Sequence, residues 1–385
     1  MKILYITSHF NPFDVSTGSG QRYNLLLQSC AQLGKVDVVT FANDIQSNIP
    51  NVDVIYGQYC PLKRYEGRWN RFKRLLQPWS LYSFFEKDER RAAIVEDIIQ
   101  QNGYDLIVVR YIPIVCECGL LKYVDKLVVD VDDDPIDVQL TLSKNAHSKR
   151  AQLYYRILSR LMAQTINVFL NKVRFAFFPN AQQVRGKHAV YLPNVPFYEV
   201  KSVSPIEGHN HRIFFVGDLK YTPNVLGVEH FVQFIFPHIR NQIKDAEFYL
   251  AGRNYGEEWR MKMEQTEGIH VLGFVQDLRI EYEQSNVCVV PVYSGAGTNI
   301  KVLEALRMNR ACVVSEEATR GFHDILIDGK DYFVAHNDEQ FIEYVCQLLL
   351  DREKSIAIAQ YGYETVKKNY AVVSFDNIVK CSLLK

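Results

Sequence analysis

Residues 291–306 read PVYSGAGTNIKVLEAL. An apolar strand, NVCVVPVY, runs into Gly295, Ala296, Gly297 and Thr298, and an apolar helix opens behind them at Asn299. Residues this small let a backbone come close to a ligand, and the first turn of a helix offers unpaired N–H groups to an anion. Lys301 and Glu304 stand one turn apart at the start of that helix. Strand, glycine loop and helix in this order are a unit of a parallel α/β sheet, which binds ligands at the carboxyl ends of its strands.

The same unit recurs on both sides. RIFFVGDL, AEFYLAG, GIHVLGFV and ACVVSE are further apolar strands of the second half, and TPNVLGVEHFVQFIFPHI is a helix with proline in its first turn. Glycines stand at or just past the strand ends, in Gly217-Asp218, Gly252-Arg253, Gly273-Phe274-Val275 and the opening loop. One such glycine is an ordinary turn, but four loops opening toward one sheet edge line a groove with N–H groups. In the first half, KILYIT, KVDVVTF, YDLIVVR, KLVVDV, AFFPN and AVYLPNV alternate with helical stretches. GSGQRYNLLLQSCAQLG reads as a loop opening an amphipathic helix, and DERRAAIVEDIIQQNG as another helix. Short apolar runs separated by helices are parallel strands buried on both faces. The polar, proline-bearing PFYEVKSVSPIEGHNH interrupts the rhythm and reads as a linker.

Bulk properties agree. A chain of 385 residues exceeds what one core usually serves, so two domains are expected. Apolar content of 48% and charged content of 23% are those of an ordinary globular protein. Zero formal charge argues against a nucleic-acid partner. The eight cysteines are scattered, with only Cys116 and Cys118 close in sequence, so reduced core thiols are expected. MKILYITSHF reads as a first strand and lacks a signal peptide's apolar core, and there is no uncharged span of ~18 residues. A cytoplasmic protein is expected, peripheral at most on the inner face of the membrane.

Residues 268–315, GIHVLGFVQDLRIEYEQSNVCVVPVYSGAGTNIKVLEALRMNRACVVS, resemble the donor-binding half of GT-B glycosyltransferases, specifically the retaining family 4 (group 1) and its GAGT-loop branch. STGSGQRYNLLLQSCAQLG resembles that family's N-terminal glycine loop, AVYLPNVPF its approach to the linker, and DREKSIAIAQYGYETVKKNY its helix crossing back. The resemblance implies two Rossmann-like doubly wound α/β domains facing across a cleft. Residues 1–196 would bind the acceptor, 197–210 would link, 211–365 would bind a nucleotide-diphosphate sugar, and 366–385 would return to the first domain. It further implies that the backbone at Phe274 and Val275 meets the nucleobase and that Glu304 takes the ribose hydroxyls. Gly295 to Asn299 (Ala296, Gly297 and Thr298 between them) would face diphosphate and sugar, with Lys301 neutralising charge. Lys301 also fits a solvated helix lysine, and Glu304 a first-turn charge favoured by the helix dipole.

Departures from the family pattern matter. The first glutamate of its paired-glutamate motif would fall at position 296, which is Ala296. Its Arg and Lys after the first strand of the second domain are replaced by Asp218 and Pro223, leaving Lys220 or Arg253 beside Gly217 and Gly252 as substitutes. In the first half, Gly18, Ser19 and Gly20 stand before a helix where they meet donor phosphate or acceptor, or simply cap that helix. Arg110 ends YDLIVVR, as a contact for a charged acceptor or as a surface ion pair. Asp132 stands where many relatives carry a histidine, as an acid of different role. Asp133 or Asp134 also suits the N-cap of a segment starting at Pro135. A metal-binding DxD or a phosphatase aspartate would look similar, but neither explains the second α/β half. No metal or other cofactor is expected.

Residues 62–85, LKRYEGRWNRFKRLLQPWSLYSFF, set six cations against one Glu66 with aromatics interleaved, a pattern suited to an anionic membrane surface or to an ordinary solvated helix. The expected activity is metal-independent, retaining transfer of a sugar to a glycan or lipid-linked acceptor in cell-surface polysaccharide or glycoconjugate synthesis. The alternative is a non-catalytic nucleotide-sugar or glycan-binding protein of the same fold.

Overall fold

A computed structural model describes residues 1–8, 11–15, 18–62, 80–146, 148–196, 211–253, 256–295 and 297–385. The linker 197–210, residues 63–79 of the basic aromatic stretch, and Ala296 therefore lie outside the described residues. The chain divides into two compact units, Met1–Pro193 with Val372–Lys385, and Asn194–Ala371.

The first unit holds seven parallel strands: β1 (Lys2–Ile6), β2 (Lys35–Thr40), β3 (Val52–Gly57), β4 (Leu106–Arg110), β5 (Leu127–Asp130), β6 (Phe175–Phe178) and β7 (Ala189–Tyr191). Their order is β3-β2-β1-β4-β5-β6-β7. The central strands are wholly buried, Ile3 to Ile6 and Ile107 to Val109 having no exposed surface, which is why they read as continuous apolar runs. Helices α1 (Gly18–Ala31), α2 (Glu89–Asn102), α3 (Ile112–Glu117), α4 (Pro135–Asn145) and α5 (Lys149–Leu170) pack around them. Asp88 starts α2 by accepting from the N–H groups of Arg90 and Arg91.

The second unit is a six-stranded parallel sheet of β8 (Arg212–Val216), β9 (Glu247–Ala251), β10 (Ile269–Gly273), β11 (Val287–Val290), β12 (Ala311–Ser315) and β13 (Phe333–Ala335). Its order is β10-β9-β8-β11-β12-β13. The helices are α6 (Thr222–His230), α7 (Phe236–Gln242), α8 (Glu257–Glu264), α9 (Leu278–Gln284), α10 (Ile300–Arg307), α11 (Asp338–Leu350) and α12 (Arg352–Asn369). A last helix, α13 (Val372–Leu383), belongs to the first unit and meets α1, where Ser29 Oγ donates to Asp376 Oδ1 at 2.5 Å.

The expected doubly wound α/β pair is what the chain forms, with local differences. Gly18, Ser19 and Gly20 do not precede the first helix; they are its first turn. The helix expected from Thr222 onward is split by a π-helical turn, Phe231–Ile235, because Pro237 lacks the N–H and crowds the preceding turn. The second division falls after Ala371 rather than at 365, since α12 is one continuous helix through that point.

Candidate functional site

The strand orders decide where ligand crevices lie. A doubly wound sheet opens a crevice where neighbouring strands send their connections to opposite sides. In the second unit this is between β8 and β11, so the loops after Val216 and after Val290 flank it. The second of these carries Gly295, Gly297 and Thr298.

Three strand ends are first pressed together. Gly217 N–H donates to Ala251 O at 3.0 Å, and Gly252 N–H to Gly273 O at 2.7 Å. Gly252 has φ +146°, and a Cβ there would lie 1.8 Å from Gly217 O. Only glycine permits that approach. Gly217 and Gly252 thus serve as backbone, shaping the rim of the crevice.

The loop after β8 is then tied to α10. Asp218 Oδ1 accepts from Lys220 N–H at 2.9 Å, and Asp218 O accepts from Asn224 Nδ2 at 2.9 Å. This second bond leaves the Asn224 amide oxygen facing α10, where the Lys301 ammonium donates to it at 2.6 Å. Nζ also lies 5.1 Å from the centre of the Phe215 ring. Desolvation pushes Lys301 down to about 8, against the pull of Glu304's charge. Glu304 itself is buried, at 6% exposure. Lys301 is therefore half-buried and hydrogen-bonded, not a freely solvated helix lysine.

Gly295 closes the other side. Its φ is +124°, and a Cβ would sit 3.2 Å from Tyr221 Oη, so the two flanking loops meet here. Gly295 O accepts from Arg320 at 2.8 Å. Asn299 caps α10 by position alone, with no side-chain hydrogen bond to its N–H groups. Thr298 and Gly297 are half-buried between them.

Not every expected residue converges. Phe274 follows β10, two strands or roughly 10 Å from β8, with 62% of its surface exposed. Val275 packs partly on the core, while Lys220 and Arg253 are exposed at the rim. Asn224, Phe215, Tyr221 and Arg320 were not singled out from sequence. Asn224 carries a faint signal, a poor helix former placed directly after Pro223.

In the first unit the crevice lies between β1 and β4, which brings the first turn of α1 and Arg110 to it. Arg110 is buried, 1% exposed, which corrects the surface ion pair. Its guanidinium bonds Asp132, lies 3.6 Å from Asp130 and stacks 4.2 Å over Tyr23. The next residue, Tyr111, holds φ +71° and donates its N–H to Asp130 O at 2.9 Å, a strained backbone at a strand end. Arg22, unforeseen, lies 2.6 Å from Asp130 and donates to the carbonyls of Leu192 and Pro193. A charge on the apolar stripe of α1 was the available sign.

The acidic run resolves residue by residue. Asp134 caps α4, accepting from Ile136 N–H at 3.0 Å, and pairs with Arg185 at 2.5 Å. Asp132 is tied to Arg110, and Asp130 to Arg22. Asp133 reaches solvent on one side. Desolvation of its inner side, then the Asp132 charge, push it up to about 6 against the pull of Arg110. These carboxylates face arginines, and among the described residues no three His, Cys, Asp or Glu side chains converge as a metal site would require.

Known proteins match this architecture. Residues 210–351 match the family described as Glycosyl transferases group 1. That match lies within the second unit and covers most of it. The chain shares its two-unit α/β fold with sucrose-phosphate synthase from Thermosynechococcus elongatus, at TM-score 0.70 and 17% identity over 99% of this chain and 97% of that one. Anabaena HepE, solved with UDP and glucose, superposes at TM-score 0.63 and 13% identity over 100% of both chains. WaaG, described as a glycosyltransferase involved in lipopolysaccharide biosynthesis, does so at TM-score 0.62 and 13% identity over 100% and 99%. An uncharacterised 44.6 kDa protein in the cps region of Klebsiella pneumoniae is 21% identical over 240 residues, 59% of this chain and 60% of that protein. The chain thus spans about three-fifths of the curated relative it matches. No helix among its described residues is long and apolar enough to cross a membrane.

Proposed function

We propose that the protein transfers a sugar from a nucleotide-diphosphate donor to a glycan or lipid-linked acceptor, with retention of configuration and without metal, in cell-surface polysaccharide or glycoconjugate synthesis. One observation carries the reading: the Lys301 ammonium rests on a neutral amide oxygen and an aromatic face at the β8–β11 crevice. An ammonium held this way keeps net charge for an anion, and a diphosphate leaving group develops negative charge as the glycosidic bond breaks. The N–H groups of the glycine loop and the α10 start add to it. HepE's UDP and glucose, WaaG's lipopolysaccharide role and the cps setting of the Klebsiella relative suit the same donor and product classes.

Glu304, Phe274, Val275 and residues 295–299 then contact ribose, base and diphosphate. Gly18, Ser19, Gly20 and Arg110 shape the acceptor side, and Asp132 acts there as an acid. The stretch 62–85 adds contact with an anionic membrane. The test is release of nucleotide from a panel of nucleotide sugars, with and without EDTA. Turnover that survives EDTA and falls at least 100-fold in Lys301→Ala supports the reading; EDTA-sensitive turnover, or release indifferent to Lys301, refutes it. The second reading, a binding protein without turnover, draws on Asp132 being tied to Arg110 and on Ala296 replacing a family glutamate. It predicts tight nucleotide binding with no release.

A further inference from the structure

Between Asp137 and Glu199 the chain has no acidic residue and nine lysines and arginines, in a protein whose formal charge is zero. Much of that stretch is α5. The C-terminal half of α5 is anchored in the core by Met162, Ile166, Phe169 and Leu170. Its N-terminal half is different: no residue from Lys149 to Leu158 is buried. Leu153, Tyr154 and Ile157 are 59%, 49% and 50% exposed. They share one helical face with Lys149, Arg150, Arg156 and Arg160, all exposed. The opposite side is held by α4, where Ser143 Oγ donates to Gln152 O at 2.9 Å and Gln152 Nε2 to Ala146 O at 3.0 Å. The outward face is thus rigidly presented.

A solvated helix surface of this length ordinarily mixes both signs and turns its large apolar residues inward. Here aliphatic and aromatic side chains point outward, ringed by cations, and α5 itself carries no carboxylate to offset them. That combination matches the bilayer interface, where the apolar residues enter the acyl boundary and the cations meet anionic headgroups. We propose that the outer face of α5 is a docking surface for an anionic lipid membrane. The helix lies on the membrane rather than through it, since its cations forbid a span. Leu81–Ser83, in the described part of the stretch 62–85, packs against α5. This docking is independent of the transfer chemistry and stands whether or not a sugar is transferred.

The experiment is sedimentation of the full chain with phosphatidylglycerol–phosphatidylcholine vesicles and with pure phosphatidylcholine vesicles, at low and raised salt. The wild type is expected to bind the anionic vesicles alone and to lose affinity as salt rises. Replacing Lys149, Arg150, Arg156 and Arg160 together by Gln is expected to weaken partition on the order of 100-fold. Replacing Leu153, Tyr154 and Ile157 by Ser is expected to remove the salt-resistant part. All seven side chains are exposed, so both variants keep the wild-type Tm. As a check independent of those multiple changes, Ile157→Trp is expected to show blue-shifted fluorescence quenched by brominated lipid. Equal binding by wild type and either variant, no binding to anionic vesicles, or capture of a soluble acidic protein without vesicle partition overturns the proposal.

Discussion

The ammonium of Lys301 donates to Oδ1 of Asn224 at 2.6 Å, while the same amide's Nδ2 is held by the carbonyl of Asp218. Asn224 therefore orients Lys301 without neutralising it. Asn224→Asp puts a carboxylate beside the ammonium and cancels the field a diphosphate would meet. UDP affinity is expected to fall about 10-fold or more in this variant, and Asn224→Ala by a similar factor through lost orientation. Isothermal titration with UDP checks both, and unchanged affinity in Asn224→Asp removes Asn224 from the donor site.

Lys301 titrates at about 8, below the ordinary lysine value. A lowered lysine contributes stability above its unfolded value, and that contribution is lost as pH falls through about 8, so its charge is a cost at neutral pH. An anion that binds the charged form offsets this cost. The rise in Tm caused by UDP is therefore expected to be larger near pH 7 than above pH 9, and the difference should vanish in Lys301→Met. A pH-independent Tm rise in the wild type would contradict the assignment.

Gly252→Ala tests the pressed strand ends. The added methyl would meet Gly217 O at 1.8 Å with φ at +146°, so the backbone must part. A loss of about 3 kcal/mol or more is expected in urea unfolding, with donor binding lost as the rim opens.

Arg22 is the counter-ion of Asp130, whose side chain has no exposure. Arg22→Met leaves that carboxylate buried with half its partners gone, and about 3–5 kcal/mol of stability is expected to go with it. Adding Asp130→Asn should recover much of the loss, which a double-mutant cycle by denaturant melts will measure.

Asp133, raised to about 6, binds its proton more tightly in the folded chain. The stability it contributes is fully present below the ordinary carboxylate range and lost as pH rises through about 6. Asp133→Asn is expected to flatten the stability profile across that window, and a profile identical to wild type would deny the raised value.

Much of the architecture was legible because parallel strands buried on both faces must be apolar runs, as in LIVVR and VCVV. Two of the four edge strands, β3 and β13, were passed over for different reasons. In VDVIYG at β3 only Val52 is buried, and FVA at β13 is too short to stand out. Helix α5 gave a weak pattern because its first half packs on one side only and keeps apolar residues outside.

The candidate site was legible in a different measure. Glycines at strand ends and the helix carrying Lys301 and Glu304 follow from local chemistry, since a glycine loop before a helix has few other uses. Sequence by itself determined most of the elements, their parallel class and the glycine loop after β11. Tertiary structure alone decided which strands are neighbours, and hence that the loops after β8 and β11 share one crevice. It alone joined Asn224 to Lys301 across 77 positions and Arg22 to Asp130 across 108. The reason is physical: polar partners are chosen by burial and by the directions of side chains in space, and neither is written in the spacing of residues along the chain.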